Sequence, residues 1–414
     1  MSNKIKKRKI LFVGGGSGGH VMPIIAILNE LLSSKASVPL DLRIFTDRKY
    51  FSETSRQVNE NLRPPVSEAN VEYSLQTKVN WIASGKLRRY TNFTFWDYLT
   101  KPSLWLANFF DMWKLFFGFW QSLFMLIFWR PHAVFIKGGY VGVPVGLAAR
   151  ILCIPTILHE SDAGGLGLAN RILSRFARVI FTGAPIENYN ASKKVKNKMR
   201  WIGIPLSDSF EFMRNRLLAG DEPDIPAEVS EAWEKGRENR TIVLAMGGSL
   251  GARRINEDLL LNIDKLHKSA FLVLISGVGQ NYDDAKNLAA GQSNVLVLPF
   301  TDHPAELMAA SQIIVARAGA TTIAELEILM KPSILVPNAK LPGAHQTKNA
   351  RVLADRGACL YIEDNIDNKE LNIMASINSL IDNPKMQKQF SERIGKLAKV
   401  DAAKIIADKL LEVS

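Results

Sequence analysis

The residues best suited to chemistry in this chain stand directly after glycine-rich turns. His20 closes the run Gly14-Gly-Gly-Ser-Gly-Gly-His20. A neutral imidazole at a helix start can take a proton from a hydroxyl near pH 7, and the helix N-terminus disfavours its protonated form. A capping or packing histidine would fit the same place. His159-Glu160, at the end of another apolar run, is a second acid–base candidate. Some 230 residues after the first turn, Gly247-Gly-Ser-Leu-Gly251 repeats its character. Glycines there let a ligand approach the backbone, and the free N–H groups of a following helix favour anions. Ser249 and the N–H groups around it are placed to receive a diphosphate. In Arg317-Ala-Gly-Ala-Thr-Thr-Ile-Ala-Glu325, small residues let a ligand lie on the backbone, and Glu325 could grip a ribose diol. Its alternative role is a capping box with Thr322, three residues earlier. No DxD pair stands out as a metal-based way of holding phosphate charge, so helix termini and backbone are expected to do so.

These residues need rigid supports, and the chain reads as a series of short apolar, β-branched runs separated by helical stretches. The runs cover residues 10–13, 42–46, 133–137, 156–159, 179–182 and 199–202, then 241–246, 271–276, 295–299, 313–316, 333–337 and 358–362. Such alternation predicts α/β architecture with two doubly wound, Rossmann-like parallel sheets, whose ligands gather beyond the strand C-termini. The expected division is residues 1–205 for the first domain and 206–385 for the second. Residues 386–414 form a C-terminal helical segment that could pack back on the first domain.

The bulk composition narrows the class. With 414 residues, two domains are the default. Lysine and arginine outnumber the acids by 52 to 40, a net charge of +12 that suits a negative partner such as a nucleotide sugar or an anionic membrane face. Nucleic acid is disfavoured, because no basic run interleaves with aromatics on an expected sheet face. The two cysteines, far apart, make no disulfide framework or zinc set, and the apolar run 10–13 is too short for a signal-peptide core. Residues 104–129 hold 11 of the 36 aromatic residues, with a narrow polar stripe of Asn108, Asp111, Lys114, Gly118 and Gln121. Three readings are open: a membrane span, a helix wholly inside the domain, or a helix that offers its aromatics to a membrane interface beside Lys86, Arg88 and Arg89.

Taken together, six ordered motifs resemble the MurG family of peptidoglycan N-acetylglucosaminyltransferases, inverting enzymes of GT-B architecture. They are residues 14–20 with Pro23, Gly138-Gly-Tyr-Val141 with Pro144, His159-Glu-Ser-Asp162 with Asn170, residues 247–252 with Asn256, residues 317–325, and His345-Gln346 with Asn349. The resemblance spans roughly residues 9–365 and implies two domains facing across a cleft. It implies transfer of N-acetylglucosamine from its UDP donor to the 4-hydroxyl of a muramoyl-pentapeptide on undecaprenyl pyrophosphate. The place of work would be the cytoplasmic face of the membrane, with the protein bound peripherally and no metal or other cofactor. By position, the family's donor-binding residues correspond to Ser17, Gly18, Gly19, Asp162, Ser249, Thr301, Arg317, Ala320, Thr321, Thr322, Ile323, Ala324, Glu325 and Gln346. Gly15, Gly16, Tyr140 and His159 correspond to acceptor contacts, and His20 and Glu160 to the reaction centre. Two donor-side positions depart from the family pattern. Asp162 stands where asparagine is common, and Ser207 stands where the seam motif carries arginine. Other readings of the same motifs are a lipid-acceptor glycosyltransferase of the diacylglycerol type and a weakened nucleotide-sugar-binding protein.

Overall fold

The computed structural model describes residues 7–15, 18–33, 39–62, 77–85, 102–234, 241–248, 251–338, 344–364 and 371–414. The chain forms two compact units, one of Met1–Ser207 with Asp401–Ser414 and one of Asp208–Val400.

In the first unit, seven strands make one parallel sheet: β1 (Arg8–Val13), β2 (Leu40–Asp47), β3 (Lys78–Ile82), β4 (Ala133–Ile136), β5 (Thr156–Glu160), β6 (Val179–Thr182) and β7 (Met199–Trp201). Their order is β3-β2-β1-β4-β5-β6-β7. The chain therefore reverses direction across the sheet between β1 and β4, and the C-terminal ends of these two strands are where such sheets bind ligands. Helices α1 (Gly18–Ser33), α2 (Phe51–Asn61), α3 (Pro102–Trp129), α4 (Gly142–Ile151), α5 (Leu168–Leu173) and α6 (Lys193–Lys196) connect these strands. The central strands are buried on both faces, which explains their unbroken apolar sequence.

The second unit starts with α7 (Asp208–Ala219) and α8 (Ala227–Glu234). Its six parallel strands are β8 (Thr241–Met246), β9 (Ala270–Ile275), β10 (Val295–Leu298), β11 (Ile313–Ala316), β12 (Ser333–Leu335) and β13 (Leu360–Tyr361), in the order β10-β9-β8-β11-β12-β13. The reversal here falls between β8 and β11. Its further helices are α9 (Arg253–Leu261), α10 (Gln280–Leu288), α11 (Pro304–Ala310), α12 (Ala320–Ile328), α13 (His345–Ala354), α14 (Ile373–Ile381) and α15 (Pro384–Gly395). The last helix, α16 (Ala402–Val413), returns to the first unit. There Ala403, Ile406, Ala407 and Leu410 join a core with Ile24, Leu28 and Ile10. Helix α15, grouped with that tail in the sequence reading, stays in the second unit.

Every strand read from the sequence is present, and β3 is an addition. The aromatic segment is α3, and its orientation excludes the wholly internal reading. In the apolar stretch Asn108–Trp129 only 22% of the most hydropathic window is buried. Phe109, Phe110, Trp113, Phe116, Phe117, Trp120, Phe124 and Phe128 are all exposed, while Asp111, Gly118 and Ser122 are buried. The polar stripe thus faces the protein at Asp111, Gly118 and Gln121, while Lys114 is exposed and reaches back to Asp111 at 3.2 Å. Gln121 lies along the edge strand β3, accepting from Ala83 N at 2.9 Å and donating to Trp81 O at 2.9 Å. A Cβ on Gly118 would fall 1.8 Å from Ala83 O, so only glycine allows this approach. The basic residues Lys86, Arg88 and Arg89 lie outside the described residues.

Candidate active site

In the first unit the turns after β1 and β4 meet at the switch point. Gly139 has φ +83°, and a Cβ on it would fall 2.8 Å from Gly15 O. The glycines therefore let two backbone turns touch where any side chain would separate them. Gly18 and Gly19 open α1 and place His20 in its first turn. Gly16 and Ser17 lie outside the described residues.

Around this turn the structure gathers His20, Lys137, Tyr140, His159, Glu160 and Asp162. A Cβ on Gly138 would lie 3.7 Å from His20 Cε1, 3.5 Å from Asn170 Nδ2 and 3.8 Å from His159 O. The His20 pKa is lowered to about 4, first by burial and then by the Lys137 ammonium, with Asp162 opposing. The imidazole is thus neutral at physiological pH, and its Nδ1 has no hydrogen-bond partner among the described residues. Of the acid–base candidates, His20 alone presents an unengaged nitrogen.

The other two carry internal tasks. His159 is fully buried, with Nε2 2.9 Å from Gly203 O and Nδ1 3.3 Å from Lys137 Nζ. Burial, then the lysine, holds its pKa well below the usual value. The ring expected to contact acceptor is therefore occupied at both nitrogens by the protein. Glu160, expected at the reaction centre, binds its own following loop. Its Oε2 accepts from Gly167 N at 2.8 Å and Asn170 Nδ2 at 3.0 Å, and its Oε1 from Asp162 N at 3.4 Å. Burial and the neighbouring Asp162 raise its pKa to about 7. Tyr140 is partly exposed, and burial together with the Asp47 carboxylate pushes its phenol pKa upward.

In the second unit, β8 runs into Gly247 and Gly248, and β11 into residues 317–319 and α12. Ser249 lies outside the described residues. Gly251 has φ +73°, and a Cβ there would meet Ser276 O at 2.2 Å. Helix α12 begins at Ala320 with Gly319 as N-cap, and the first chain-internal bond runs from Ile323 N to Gly319 O. The N–H groups of Ala320, Thr321 and Thr322 thus precede the helical ladder, the arrangement that receives phosphate. Because Thr322 lies inside the first turn rather than at its cap, the capping box with Glu325 does not form. Glu325 makes no hydrogen bond or ion pair within the described protein, and burial alone raises its pKa to about 7. Ile323 and Ala324 are buried.

Three other expected donor contacts are engaged internally. Arg317 Nη1 donates to Val336 O at 2.9 Å and to Asp364 Oδ2 at 2.6 Å, and Arg254 pairs with the same carboxylate. Gln346 Oε1 accepts from Asn338 N at 2.9 Å. The buried Thr301 hydroxyl donates to Glu228 and accepts from His303 N at 3.0 Å. Arg200, a possible stand-in for the arginine replaced by Ser207, bonds to Asn197 O and Met199 O instead. Lys137 and Asp364 were missed by sequence reasoning. Lys137 ends an apolar run and Asp364 follows one after Glu363, and only the fold shows that they bind His159 and Ser161, and Arg317 and Arg254.

Comparison with known proteins covers both units. Residues 10–182 match the glycosyltransferase family 28 N-terminal domain and residues 242–406 the glycosyltransferase family 28 C-terminal domain. A UDP-N-acetylglucosamine--N-acetylmuramyl-(pentapeptide) pyrophosphoryl-undecaprenol N-acetylglucosamine transferase of Caldicellulosiruptor saccharolyticus is 31% identical over 403 residues, covering 96% of this chain and 95% of its own. Among solved structures, Acinetobacter baumannii MurG superposes with a TM-score of 0.67 at 22% identity, covering 98% of this chain and 99% of its own. The UDP-GlcNAc 2-epimerase of Neisseria meningitidis, solved with UDP-GlcNAc, gives a TM-score of 0.60 at 16% identity, with coverage of 98% and 100%. The two structural likenesses establish a shared two-domain GT-B fold. The sequence relationship is closer: the chain belongs to glycosyltransferase family 28, in the family of the N-acetylmuramyl-(pentapeptide) pyrophosphoryl-undecaprenol N-acetylglucosamine transferases.

Proposed function

We propose that the protein transfers N-acetylglucosamine from UDP-N-acetylglucosamine to the 4-hydroxyl of N-acetylmuramoyl-pentapeptide carried on undecaprenyl pyrophosphate. The observation that carries the reading is that a chain of this family holds, in its first unit, a neutral His20 and, in its second, a Glu325 that have no hydrogen-bond partner at Nδ1 and at the carboxylate, respectively, among the described residues. His20 takes the proton of the acceptor hydroxyl as its oxygen attacks the anomeric carbon. The bond to UDP breaks on the opposite side, which inverts the configuration. Negative charge developing on the leaving diphosphate is met by fixed N–H donors at the start of α12 and after β8, without a metal ion. Glu325 accepts from the ribose diol.

The acceptor hangs on a long polyprenyl chain, and each CH₂ withdrawn from lipid costs about 0.8 kcal/mol. The enzyme therefore works at the membrane surface, and α3 supports this. Its aromatic face points away from the protein, while Gln121, Gly118 and Asp111 pin the other face along β3 and the residues after it. A helix held this way lies in the interface with its outer face in lipid, peripherally bound at the cytoplasmic side.

The test combines purified protein, labelled UDP-N-acetylglucosamine and the undecaprenyl-linked muramoyl-pentapeptide acceptor. UDP and labelled lipid should appear together in equal amounts, and His20→Ala should slow both by about 100-fold or more with donor binding intact. Transfer to diacylglycerol instead would favour the glycolipid reading. Binding of UDP without turnover on either acceptor would leave a nucleotide-sugar-binding protein.

A further inference from the structure

Lys137 is a charged side chain almost wholly inside the first unit, with 2% of its surface exposed. Ile136 on β4 pairs with Leu158 on β5, so Lys137 and His159 are the next cross-strand neighbours and project from the same face. The hydrogen bonds around it assign their own directions. The Gly203 carbonyl can only accept, so His159 Nε2 carries the proton. Nδ1 is then a bare lone pair that accepts from Lys137 Nζ at 3.3 Å, with the Ser161 hydroxyl also 3.4 Å away. The same ammonium donates to Ser161 Oγ, which the alternation of β5 sets on the His159 side. One cation thus connects the end of β4, the end of β5 and, through the imidazole, the segment after β7 that ends the unit at Ser207.

We propose that Lys137 is a positioning residue for the transfer, its ammonium locking the His159 tautomer that grips Gly203 and anchoring residue 161, so that the β4 and β5 ends stay fixed around His20. Burial of a lone lysine is costly, and a structural filler would be better served by methionine or leucine. What the lysine adds is direction and charge. The charged groups that face it are His159, Glu160 and Asp162 from β5 and its loop, and His20 from α1. Burial lowers the Lys137 pKa to about 8, with Glu160 and Asp162 opposing. Its charge is therefore present at neutral pH and lost just above it. While present, it repels a proton from His20.

The kinetic part of this inference rests on the transfer reading; the histidine part does not. Full-length wild type, Lys137→Met and Ser161→Ala would be compared in the transfer assay between pH 5.5 and 10, and by ¹⁵N resonances of labelled histidines over the same range. Wild-type kcat should fall above a midpoint of about 8. Lys137→Met should lose that limb and about tenfold to a hundredfold in kcat, with KM for donor within about twofold. The His20 titration midpoint should climb in this variant, because a neighbouring cation is gone. Ser161→Ala keeps the charge, so it should keep the limb and show a smaller loss. In wild type alone, the His159 Nδ1 resonance should move as pH crosses 8, which tests the proposal even if Lys137→Met does not fold. A folded Lys137→Met with unaltered pH profile, or a wild-type His159 signal indifferent to pH between 7 and 9, overturns the assignment. Absence of any wild-type transfer would instead overturn the function proposed above, with the His159 resonance still deciding the role of Lys137.

Discussion

Glu325 makes no hydrogen bond or ion pair among the described residues, and burial raises the pKa of its carboxyl group to about 7. Folding therefore retains a proton that the unfolded chain has already released between pH 4.5 and 7, and stability falls as pH rises through this window. Glu325→Gln removes the penalty. Without ligand, the variant should melt at a higher temperature than wild type at pH 8, and the two should converge near pH 4. Glu325→Ala should weaken UDP binding by about tenfold or more, since a buried diol loses a charged acceptor. Calorimetric titration and melting curves separate the outcomes. A carboxylate with a purely structural role would lower the melting temperature and leave UDP affinity unchanged. The sequence already pointed to Glu325, but it could not choose between ribose and capping box, because that choice depends on whether α12 starts at Ala320 or three residues later. Lys137, Asp364 and the internal ties of His159 and Glu160 were not legible for a related reason. The partners of Lys137, His159 and Asp364 lie 22 to 110 residues away in sequence, and those of Glu160 depend on how the loop after β5 folds back, so a motif names residue types without naming what they face.

Helix α3 shows the same boundary at the scale of an element. Its periodicity placed the polar residues in one stripe and the aromatics around it, and the structure keeps that stripe. Which side looks inward is not contained in a period, and the ordinary rule puts apolar side chains inside. Here the edge strand β3 offers unpaired backbone groups, and Gln121 satisfies them at Trp81 and Ala83. The polar face therefore has the better partner on the protein side, leaving the aromatic face outward. β3 itself was overlooked because Lys78–Ile82 is short, partly polar and exposed, as edge strands tend to be. The inner strands were legible because burial on both faces demands continuous apolar runs. Replacing Phe109, Trp113, Phe116 and Trp120 together by serine should remove most binding to vesicles containing anionic lipid, while UDP binding stays within about twofold. Salt or carbonate should release the wild-type protein from such vesicles. Retention in the pellet after carbonate would instead identify α3 as a spanning helix, and indifference of the wild type to vesicles would remove it from the account of acceptor access.

The whole chain is two units of like design, each with its functional turns at the point where strand order reverses, but they are not independent lengths of sequence. The final helix α16 leaves the second unit and completes the core of the first. Ile406 and Leu410 are fully buried against the same cluster as Ile24 and Leu28, and Arg8 Nη1 at the start of β1 donates to Leu411 O at 2.6 Å. The first unit therefore lacks part of its core until α16 is in place. Shortening Ile406 to alanine should cost about 2–5 kcal/mol, from lost burial and the cavity left behind. That is a large share of the roughly 5–15 kcal/mol by which domains are usually stable. The loss should be confined to one unit, because among the described residues the strands β8 and β11, whose turns are proposed to bind donor, share no core cluster with α16. In the full chain, Ile406→Ala should lower the unfolding transition reported by amide exchange in β1, β4 and α1. Exchange in β8 and β11, and the protection these strands gain from UDP, should be unaltered. Equal loss of protection in both sheets would show that the units unfold as one cooperative body, and the proposed division of labour between an acceptor unit and a donor unit would then not extend to their stability.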